Sequence, residues 1–428
     1  MPYGLRAFDH RDYRIFWFSQ LISLTGTWMQ TLAESWLVLT LTNSPLHLGF
    51  IAVCQFAPTL VLGLPGGVIA DRFPKRSLLI GTQSAYFVLI GSLATLVATG
   101  RVQLWNIYAV ALAFGIVTAI DMPTRQAFVV DLVGRDDVMN AVALNSALFN
   151  TSRVIGPAVA GLLLSTVGIA VCYILNAVSY LPVIAALLLM RTKGLPHPEA
   201  GDSRPVERLR QGLAYARATP AVMVPIVLVG LVSMFGMNFN VWVPLLAKDE
   251  FGIGAGGFGV LLSSLGVGSL AGALTLAFVG RRPDRRRMLL VAGAFGVFEV
   301  TLAGVAHVRA PLAAAMALMA AIGFSMSTAT ALANTTVQTT APDHLRGRVM
   351  SIYTTVFAGA TPFGAAIVGA TASLFGAPAA IAIGGSVVVL AVVAIAIWSR
   401  RIAPTTGVIE AAAPLEPVGG IAPRHGKR

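Results

Sequence analysis

The chain has 428 residues, of which 56% are hydrophobic and only 11% are charged. Soluble globular proteins carry roughly 25% charged residues, so this composition excludes a water-soluble domain and indicates an integral membrane protein. The formal net charge of +12 would suggest nucleic-acid binding in a soluble protein. Here the excess of arginine is attributed to orientation beside anionic lipid, and no nucleic-acid partner is predicted.

Apolar runs long enough to cross a bilayer recur along the chain. Spanning about 30 Å of hydrocarbon takes about 20 helical residues. The runs lie near 15–41, 46–70, 77–99, 104–127, 139–165, 168–190, 221–247, 256–280, 288–307, 310–334, 347–375 and 377–398. They predict an all-α integral membrane protein of about twelve transmembrane helices. The first run is too long for a signal-peptide core, so we expect it to be a retained helix.

A polar segment at 191–220 separates the first six runs from the last six. This arrangement predicts two pseudo-symmetric six-helix bundles, at 1–190 and 221–400, joined by a cytoplasmic linker at 191–220. Residues 401–428 are rich in Pro, Gly and Ala and basic at their end, which predicts a disordered cytoplasmic tail.

Lys and Arg are distributed unevenly between the predicted loops. If the N-terminus is cytoplasmic, Arg101, Lys248 and Arg309 lie outside and Arg153 lies within a helix, while the other basic residues lie inside. Short cytoplasmic loops of membrane proteins carry an excess of Lys and Arg. We therefore expect a multi-pass protein of a bacterial-type plasma membrane, with both termini cytoplasmic.

The two halves share local features. A basic loop at 71–76 follows the second run, and another at 281–287 follows the eighth. Pro157 and Pro362 occupy matching places in the fifth and eleventh runs, each preceded at the same distance by a serine, Ser146 or Ser351. These matches support a duplicated architecture.

The segment Gly67-Val-Ile-Ala-Asp-Arg-Phe-Pro-Lys-Arg76 resembles the signature between helices 2 and 3 of the major facilitator superfamily of secondary transporters. Pro74 stands where that pattern usually has Gly, and the second loop lacks an acid at the place of Asp71. The run from Arg153 to Pro157, followed by Gly161, is similar to the helix-5 motif of antiporters in this superfamily.

Three further stretches, at 28–38, 121–127 and 343–351, resemble the exporter branch that includes enterobactin exporters and macrolide or multidrug efflux proteins. The resemblance covers about residues 10–400. It implies proton-coupled secondary export of a small amphiphilic molecule (drug, macrolide or siderophore) by rocking of the two bundles about a central site.

Helix 1 carries a polar stripe, because polar residues recur at spacings of three and four at Gln20, Ser23, Thr27, Gln30 and Glu34. An ionisable group inside a membrane span is costly, so Glu34 is a candidate proton carrier. The alternative is a structural glutamate that is hydrogen-bonded between helices.

Arg153 lies near the middle of helix 5, on one face with Ser146, Asn150 and Pro157. An arginine does not deprotonate, so Arg153 can bind an anionic substrate group or hold Glu34 ionised, but cannot carry the proton. Its alternative is a fixed salt bridge within the N-terminal half. For Glu299, in the ninth run, we expect an inter-helix hydrogen bond.

A cytoplasmic gate is predicted at the loop after helix 2. Asp71 is expected to meet the N-terminus of helix 11 near Arg346 and so to stabilise an outward-open state. The other gate candidates are Gly67, Arg72, Lys75, Arg76, Asp121 and Arg125. Alternatively, Arg72, Lys75 and Arg76 only fix the topology.

The resemblance implies that helices 1, 5, 7 and 10 line the substrate cavity. The candidate lining residues are Thr27, Gln30, Asn150, Asn238, Asn240, Trp242 and Asn334. Packing between helices explains small polar residues equally well, so this alternative stays open.

Enzymatic motifs are missing from the sequence. It contains no P-loop lysine motif, and its six histidines form no group with metal-ligand spacing. Cys54 and Cys172 lie in apolar stretches, as core residues do. We therefore predict no enzyme activity, cofactor or metal, and expect a monomer whose partners are a small molecule, protons and the bilayer. A non-transporting sensor or assembly partner, and a passive facilitator or lipid mover, remain alternatives.

Overall fold

The computed structural model describes residues 3–195, 205–279 and 284–401. A 3₁₀ helix, Tyr3–Asp9, precedes the α-helices. These are α1 Arg11–Thr42, α2 Pro45–Arg72, α3 Lys75–Ala98, α4 Leu104–Val133, α5 Val138–Thr166, α6 Ile169–Leu189, α7 Pro205–Ala218, α8 Pro220–Phe235, α9 Phe239–Leu245, α10 Gly254–Val279, α11 Arg285–His307, α12 Leu312–Thr340, α13 Asp343–Phe375 and α14 Ala377–Arg401.

The prediction of an all-α membrane protein is confirmed. Within the described ranges, 11 helical segments are long and apolar enough to cross a membrane. One of them, Pro220–Glu250, combines α8, α9 and a π turn at Leu246–Glu250. Helix α1 has 32 residues but is not among the 11, because the polar residues of its stripe lower its mean hydropathy. The predicted tail lies outside the described residues, apart from Arg401 at the end of α14.

Part of the predicted linker forms an amphipathic helix, α7, which is too short and too polar to register as an apolar run. It packs on the start of α13, where Arg348 donates a hydrogen bond to Gln211. The hydroxyl of Tyr215 donates to the carbonyl of Thr340, at 3.4 Å. These contacts attach α7 to the C-terminal helices.

The predicted run at 221–247 is interrupted. Helix α8 ends at Phe235 and α9 begins at Phe239, so the helical hydrogen-bond pattern is interrupted between them. The Asn238 side-chain amide donates to the carbonyl of Met234 at 2.9 Å, which satisfies one of the carbonyls that the break exposes. Discontinuous helices are common beside the binding sites of transporters.

Two sets of helices are distinguished by their contacts. In the N-terminal set (α1–α6), α1 packs against α5 and α6, α2 against α4, and α3 against α4 and α6. In the C-terminal set (α8–α14), α8 packs against α13, α10 against α12, and α11 against α12 and α14. The sets meet along two lines, where α2 packs against α13 and α5 against α10.

We name the two ends of the bundle by α1: it begins at the terminal face and ends at the distal face. Near the distal face the two sets touch closely. A Cβ atom added to Gly259 in α10 would lie 2.6 Å from Cα of Gly161 in α5, so the two backbones are in direct contact. At the distal face itself, Lys248 Nζ donates to Asn43 Oδ1 at 2.7 Å.

The close contacts described between the two sets extend to the middle of the bundle. A Cβ atom added to Gly359 in α13 would lie 2.7 Å from Leu60 of α2, near the middle of both helices. The close contacts between the two sets therefore lie near the distal face and in the middle of the bundle.

Candidate substrate cavity and buried polar groups

A cavity of about 440 Å³ lies within the N-terminal set, mostly in the half of the bundle nearer the terminal face. Its walls come from α1, α3, α4, α5 and α6. The wall is amphiphilic, with polar Gln20, Ser23, Thr27, Thr118, Asp121, Arg125, Gln126 and Asn145 beside aromatic Phe16, Tyr86, Phe114, Phe149 and Tyr180. Pockets for small molecules commonly combine apolar walls with a few fixed polar groups.

Asp121 anchors the polar part of this wall. Its Oδ1 accepts hydrogen bonds from the Thr82 hydroxyl at 2.6 Å and from Gln83 Nε2 at 2.9 Å, both on α3. Its Oδ2 pairs with the guanidinium of Arg125, one turn along α4, with Nε at 3.0 Å. Asp121 is 4% exposed, so all of its acceptor capacity is directed to protein donors.

Arg125 is the charged residue of the cavity wall that keeps hydrogen-bond donors available for a ligand. Its Nε and one terminal nitrogen, Nη2, bind Asp121. Within the described part of the chain, the other terminal nitrogen, Nη1, makes no hydrogen bond, and Arg125 lines the cavity. A guanidinium with unused donors can bind a carboxylate or another anionic group.

Glu34 lies deeper in the bundle, beyond the cavity. It is 5% exposed and lies one turn after Gln30 on α1. Gln30 Oε1 in turn accepts from the Asn176 amide of α6. Nearby on α6, the Tyr173 hydroxyl is buried and has no hydrogen-bond partner among the described residues. Glu34 is therefore held in an uncharged, partly unsatisfied surrounding.

Arg153 lies where α1, α5 and α12 meet. Its guanidinium carbon lies 5.7 Å from the centre of the Trp28 ring, a cation–π distance, and its Nη2 lies 3.8 Å from the Met326 sulfur. In the described ranges, no carboxylate forms an ion pair with it, so the alternative of a fixed salt bridge finds no support here. Glu34 and Arg153 do not pair in this conformation.

The family model for transmembrane secretion effectors of the major facilitator superfamily matches residues 4–414. The chain belongs to this family. It is therefore a multi-pass membrane transporter, and the superfamily resemblance of the Gly67–Arg76 signature is confirmed.

Curated relatives cover most of the transporter. The Staphyloferrin A transporter of Staphylococcus aureus is 25% identical over 364 residues, which are 85% of this chain and 90% of that protein. The enterobactin exporter EntS of Shigella boydii is 26% identical over 368 residues, 84% of this chain and 85% of that protein. Both relatives are transporters, so the predicted branch is confirmed.

Solved transporters share the fold. A POT family transporter in complex with a thioalcohol-conjugated peptide matches with a TM-score of 0.75 at 12% identity, over 92% of this chain and 97% of that one. At this identity the match establishes only the major facilitator architecture.

The predicted cavity residues of the transporter fall in different places. Thr27 lines the cavity, and Gln30 lies behind its wall, where its Oε1 accepts from the Asn176 amide. Asn150 lines a groove of about 490 Å³ that shares Gln126, Asn145 and Phe149 with the cavity.

The candidates on the seventh and tenth predicted runs, which form α8–α9 and α12, are placed differently. Trp242 is 2% exposed and stacks edge-on against Phe239, while Asn238 caps α9 and its Oδ1 is buried without a partner among the described residues. Asn240 is half-buried, and Asn334 accepts from Gln338 at 2.7 Å. These four residues lie outside the walls of the described cavity.

The gate candidates split into two groups. Asp71 and Arg72 are exposed at the end of α2 and, among the described residues, form neither an ion pair nor a side-chain hydrogen bond. Gly67 has no neighbouring atom within 4 Å of a Cβ position, and Arg346 donates to the Gln338 carbonyl. The gate is predicted for the outward-open state, and it stays a prediction.

The remaining gate candidates have partners within the N-terminal set. Lys75 is 4% exposed and pairs with Asp131 at 2.8 Å, and Arg76 donates to the Leu188 carbonyl. Asp121 and Arg125 face the cavity, as described above. The structure therefore places these groups in fixed bonds inside one set of helices.

Glu299 is 1% exposed at the contact between α11 and α14. Its Cβ lies close to Gly385, and its Oε2 has no hydrogen-bond partner among the described residues. The expected inter-helix hydrogen bond of Glu299 is absent from the described residues. Its neighbourhood is packed helix backbone, and no described cavity reaches it.

Tyr86, Asn176 and Tyr180 take part in the site and were not predicted from the sequence. A signal for the α6 residues existed. Tyr173, Asn176 and Tyr180 recur at spacings of three and four, so they form a polar stripe by the same criterion that singled out α1. These polar residues were not singled out, because the run at 168–190 is otherwise long and apolar.

Proposed function

We propose that this transporter is a proton-coupled secondary exporter of a small amphiphilic molecule with an anionic group, working by alternating access. One observation carries the proposal. The cavity, whose lining residues lie mostly in the half of the bundle nearer the terminal face, combines an aromatic wall with a guanidinium, Arg125, that keeps unused donors. The names of the two relatives make a siderophore the leading substrate class.

The two helix sets are proposed to be the moving bodies, which correspond to residues 1–190 and 221–400. Both termini are proposed to be cytoplasmic, since this places nearly all Lys and Arg on the cytoplasmic side of a plasma membrane. The terminal face is then the cytoplasmic one, and the cavity lies nearer to the compartment from which an exporter loads. Rocking about the α2–α13 and α5–α10 contacts would open the distal face.

Glu34 is proposed to be the proton carrier. It is a buried carboxyl whose surroundings in the described chain contain no basic partner, so it can exist in both protonation states. Arg125 and Arg153 are proposed to contact anionic or aromatic parts of the substrate. Arg153 already lies over the Trp28 ring at the boundary between the two sets.

The test is uptake of enterobactin, staphyloferrin A and a panel of macrolides and other drugs into inverted membrane vesicles, with and without a proton uncoupler. We expect uncoupler-sensitive uptake by the wild type. Glu34→Gln should lower uptake to the level of vesicles without the protein, because it removes the exchangeable proton. Glu299→Gln is the matched control, since Glu299 is an equally buried carboxyl remote from the cavity; it should transport normally.

Two results would contradict the proposal. Uptake that ignores both the uncoupler and Glu34→Gln would indicate passive facilitation or lipid movement. No uptake of any compound by protein that is folded and inserted would favour a sensor or assembly role.

A further inference from the structure

We infer that the groove between α4 and α5 is a second substrate subsite, which binds a neutral, hydrogen-bonding arm of the molecule whose anionic head lies at Arg125. This inference rests on the proposed function, in which the cavity holds the anionic part of the substrate. It narrows the substrate class to molecules in which an acidic head is joined to an uncharged polar arm, such as a chain of amide units.

The groove and the cavity have part of their walls in common. Gln126 and Val129 of α4 and Asn145 and Phe149 of α5 line both spaces. The sharing follows from helix periodicity, because one face of α4 lines the cavity and the neighbouring face, which carries Val130, lines the groove. A substrate that extends from the cavity past these shared residues therefore enters the groove directly.

The groove begins beside the charged group of the cavity. Gln126 follows Arg125 in sequence and lines both spaces, whereas Arg125 lines the cavity alone. The α5 wall of the groove consists of residues spaced by four, namely Val138, Val142, Ser146 and Asn150. Twelve residues of helix correspond to about 18 Å. The groove is therefore long enough for an extended arm of several amide units.

Three amide side chains of the groove keep hydrogen-bonding groups free. Among the described residues, the amide of Gln126 makes no hydrogen bond. Asn145 accepts from the Tyr13 hydroxyl at 3.0 Å through Oδ1, and in the same part of the chain its Nδ2 has no acceptor. Asn150 donates to the Ser146 carbonyl at 2.8 Å through Nδ2, which leaves its Oδ1 available. The groove therefore offers both donors and acceptors to a ligand.

The described lining residues of the groove carry no charge. They include neither a carboxylate nor a basic group, whereas the cavity wall contains Asp121 and Arg125. A charged group placed in the groove would lose its hydration without gaining a counter-ion, which is costly. The part of the substrate that fits the groove is therefore neutral, while the part that fits the cavity is anionic.

The free amide groups also argue against a lipid chain as the occupant. An acyl chain would cover Gln126, Asn145 and Asn150 without bonding them, and a covered polar group without a partner costs free energy. A polar arm bonds these groups, and the carbon atoms that link its polar units contact the valines of the wall.

The sizes of the two spaces favour a substrate with two parts. The cavity has a volume of about 440 Å³ and the groove one of about 490 Å³. Pockets for drug-sized molecules range from about 300 to 1,000 Å³, so the two spaces together accommodate a molecule near the upper end of that range. A molecule that filled only the cavity would leave the amides of the groove to water.

The test measures the binding of three probes to the purified protein in lipid nanodiscs by isothermal titration calorimetry. Isophthalate monoamide supplies the head alone, an aromatic ring with one carboxylate. Isophthaloyl-triglycinamide keeps this head and adds a neutral arm, and isophthaloyl-triglycine adds an arm that ends in a second carboxylate. We expect the neutral arm to raise the affinity about tenfold, as a small number of net hydrogen bonds does, and the charged arm to give a smaller gain.

The gain from the neutral arm is then measured in three variants. Val142→Trp should abolish the gain, because Val142 lines only the groove and is 52% exposed, so the indole can fill the groove without disturbing the core. Asn150→Leu should lower the gain about threefold, because it removes one acceptor at similar size. Val88→Trp is the matched control, since Val88 is 64% exposed on α3 and lines neither space; the gain should stay at the wild-type value.

Two results would overturn the subsite. One is a neutral arm that adds no affinity in the wild type, or whose gain survives in Val142→Trp. The other comes from a fourth probe with an alkyl arm of the same length. If the alkyl arm gains as much as the triglycinamide arm, and Asn150→Leu affects neither, the groove is an apolar surface for a lipid chain.

The two proposals fail differently in this experiment. If isophthalate monoamide binds no better to the wild type than to the variant with both Asp121→Leu and Arg125→Leu, the anionic site in the cavity fails, and the groove subsite with it. If this binding depends on Arg125 but the neutral arm adds nothing, only the groove subsite fails.

Discussion

Replacing Asp121 with alanine is expected to abolish export and to destabilise the protein by about 3–5 kcal/mol, the usual cost of breaking a buried ion pair. The carboxylate neutralises Arg125 and also joins α3 to α4 through Thr82 and Gln83. Its loss leaves an uncompensated guanidinium at the cavity wall and the buried Gln83 amide without its acceptor, whereas the Thr82 hydroxyl still reaches the Leu79 carbonyl at 3.1 Å. The measurements are thermal unfolding in detergent and uptake of enterobactin and staphyloferrin A into inverted vesicles.

A second variant separates stability from binding. Replacing Asp121 and Arg125 together by leucine removes both charges, so much of the stability should return. Export should not return, because the cavity then lacks the guanidinium that binds an anionic group. Recovery of export in the double variant would show that the pair is only structural.

Asp131→Ala supplies the matched control for Asp121→Ala. Asp131 lies on the same helix and also forms a buried pair, with Lys75, but it is not part of the cavity wall. We expect it to lower the unfolding temperature while the affinity for transported compounds stays at the wild-type value. Equal losses of affinity in the two variants would contradict the assignment of the cavity.

Gly259→Val is expected to block closure of the distal face and to stop transport. The new Cβ atom would lie 2.6 Å from Cα of Gly161 and 2.7 Å from the carbonyl oxygen of Pro157, and both of these are backbone atoms. The neighbours cannot rotate away, so α10 and α5 must move apart. Alternating access needs both closed states, so a protein held open at the distal face cannot complete the cycle.

The separation can be measured with spin labels at Val167 and Val308, which are 63% and 71% exposed at the distal face. Their distance should be longer in Gly259→Val than in the wild type. Gly91→Val is the control, because a Cβ atom at Gly91 meets nothing within 4 Å. An unchanged distance in Gly259→Val together with normal transport would refute the role of this contact.

Several features of the transporter were predictable from sequence because they depend on neighbours along the chain. Hydropathy located the membrane helices, and the spacing of three and four identified the α1 stripe, of which Gln20, Ser23, Gln30 and Glu34 are buried. Short motifs such as Gly67–Arg76 identified the superfamily. Two local features escaped the same scan: α7 is too polar and too short, and the break at 236–238 sits inside an apolar run.

The partners of the buried polar groups were decided by the tertiary structure. Gln30 and Asn176 are 146 residues apart in sequence, and Asp121, a gate candidate, bonds Thr82 and Gln83 of α3. Arg153 was expected to bind either an anion or a carboxylate of the protein, and only its position beside Trp28 and Met326 shows that the second is absent from the described chain.

Hydropathy, residue spacing and short motifs thus identify the membrane segments, their superfamily and the polar stripe of α1. Which polar groups share the cavity, and which bond each other behind it, follows from how the helices pack. Hydropathy and periodicity place a side chain on a helix face, whereas its partner depends on the rotation and approach of another helix. At Gly161 and Gly259 the helix backbones meet directly, and at Gly26 the side chains of Asn176 and Ser179 reach the backbone of α1, all between segments that are far apart in sequence.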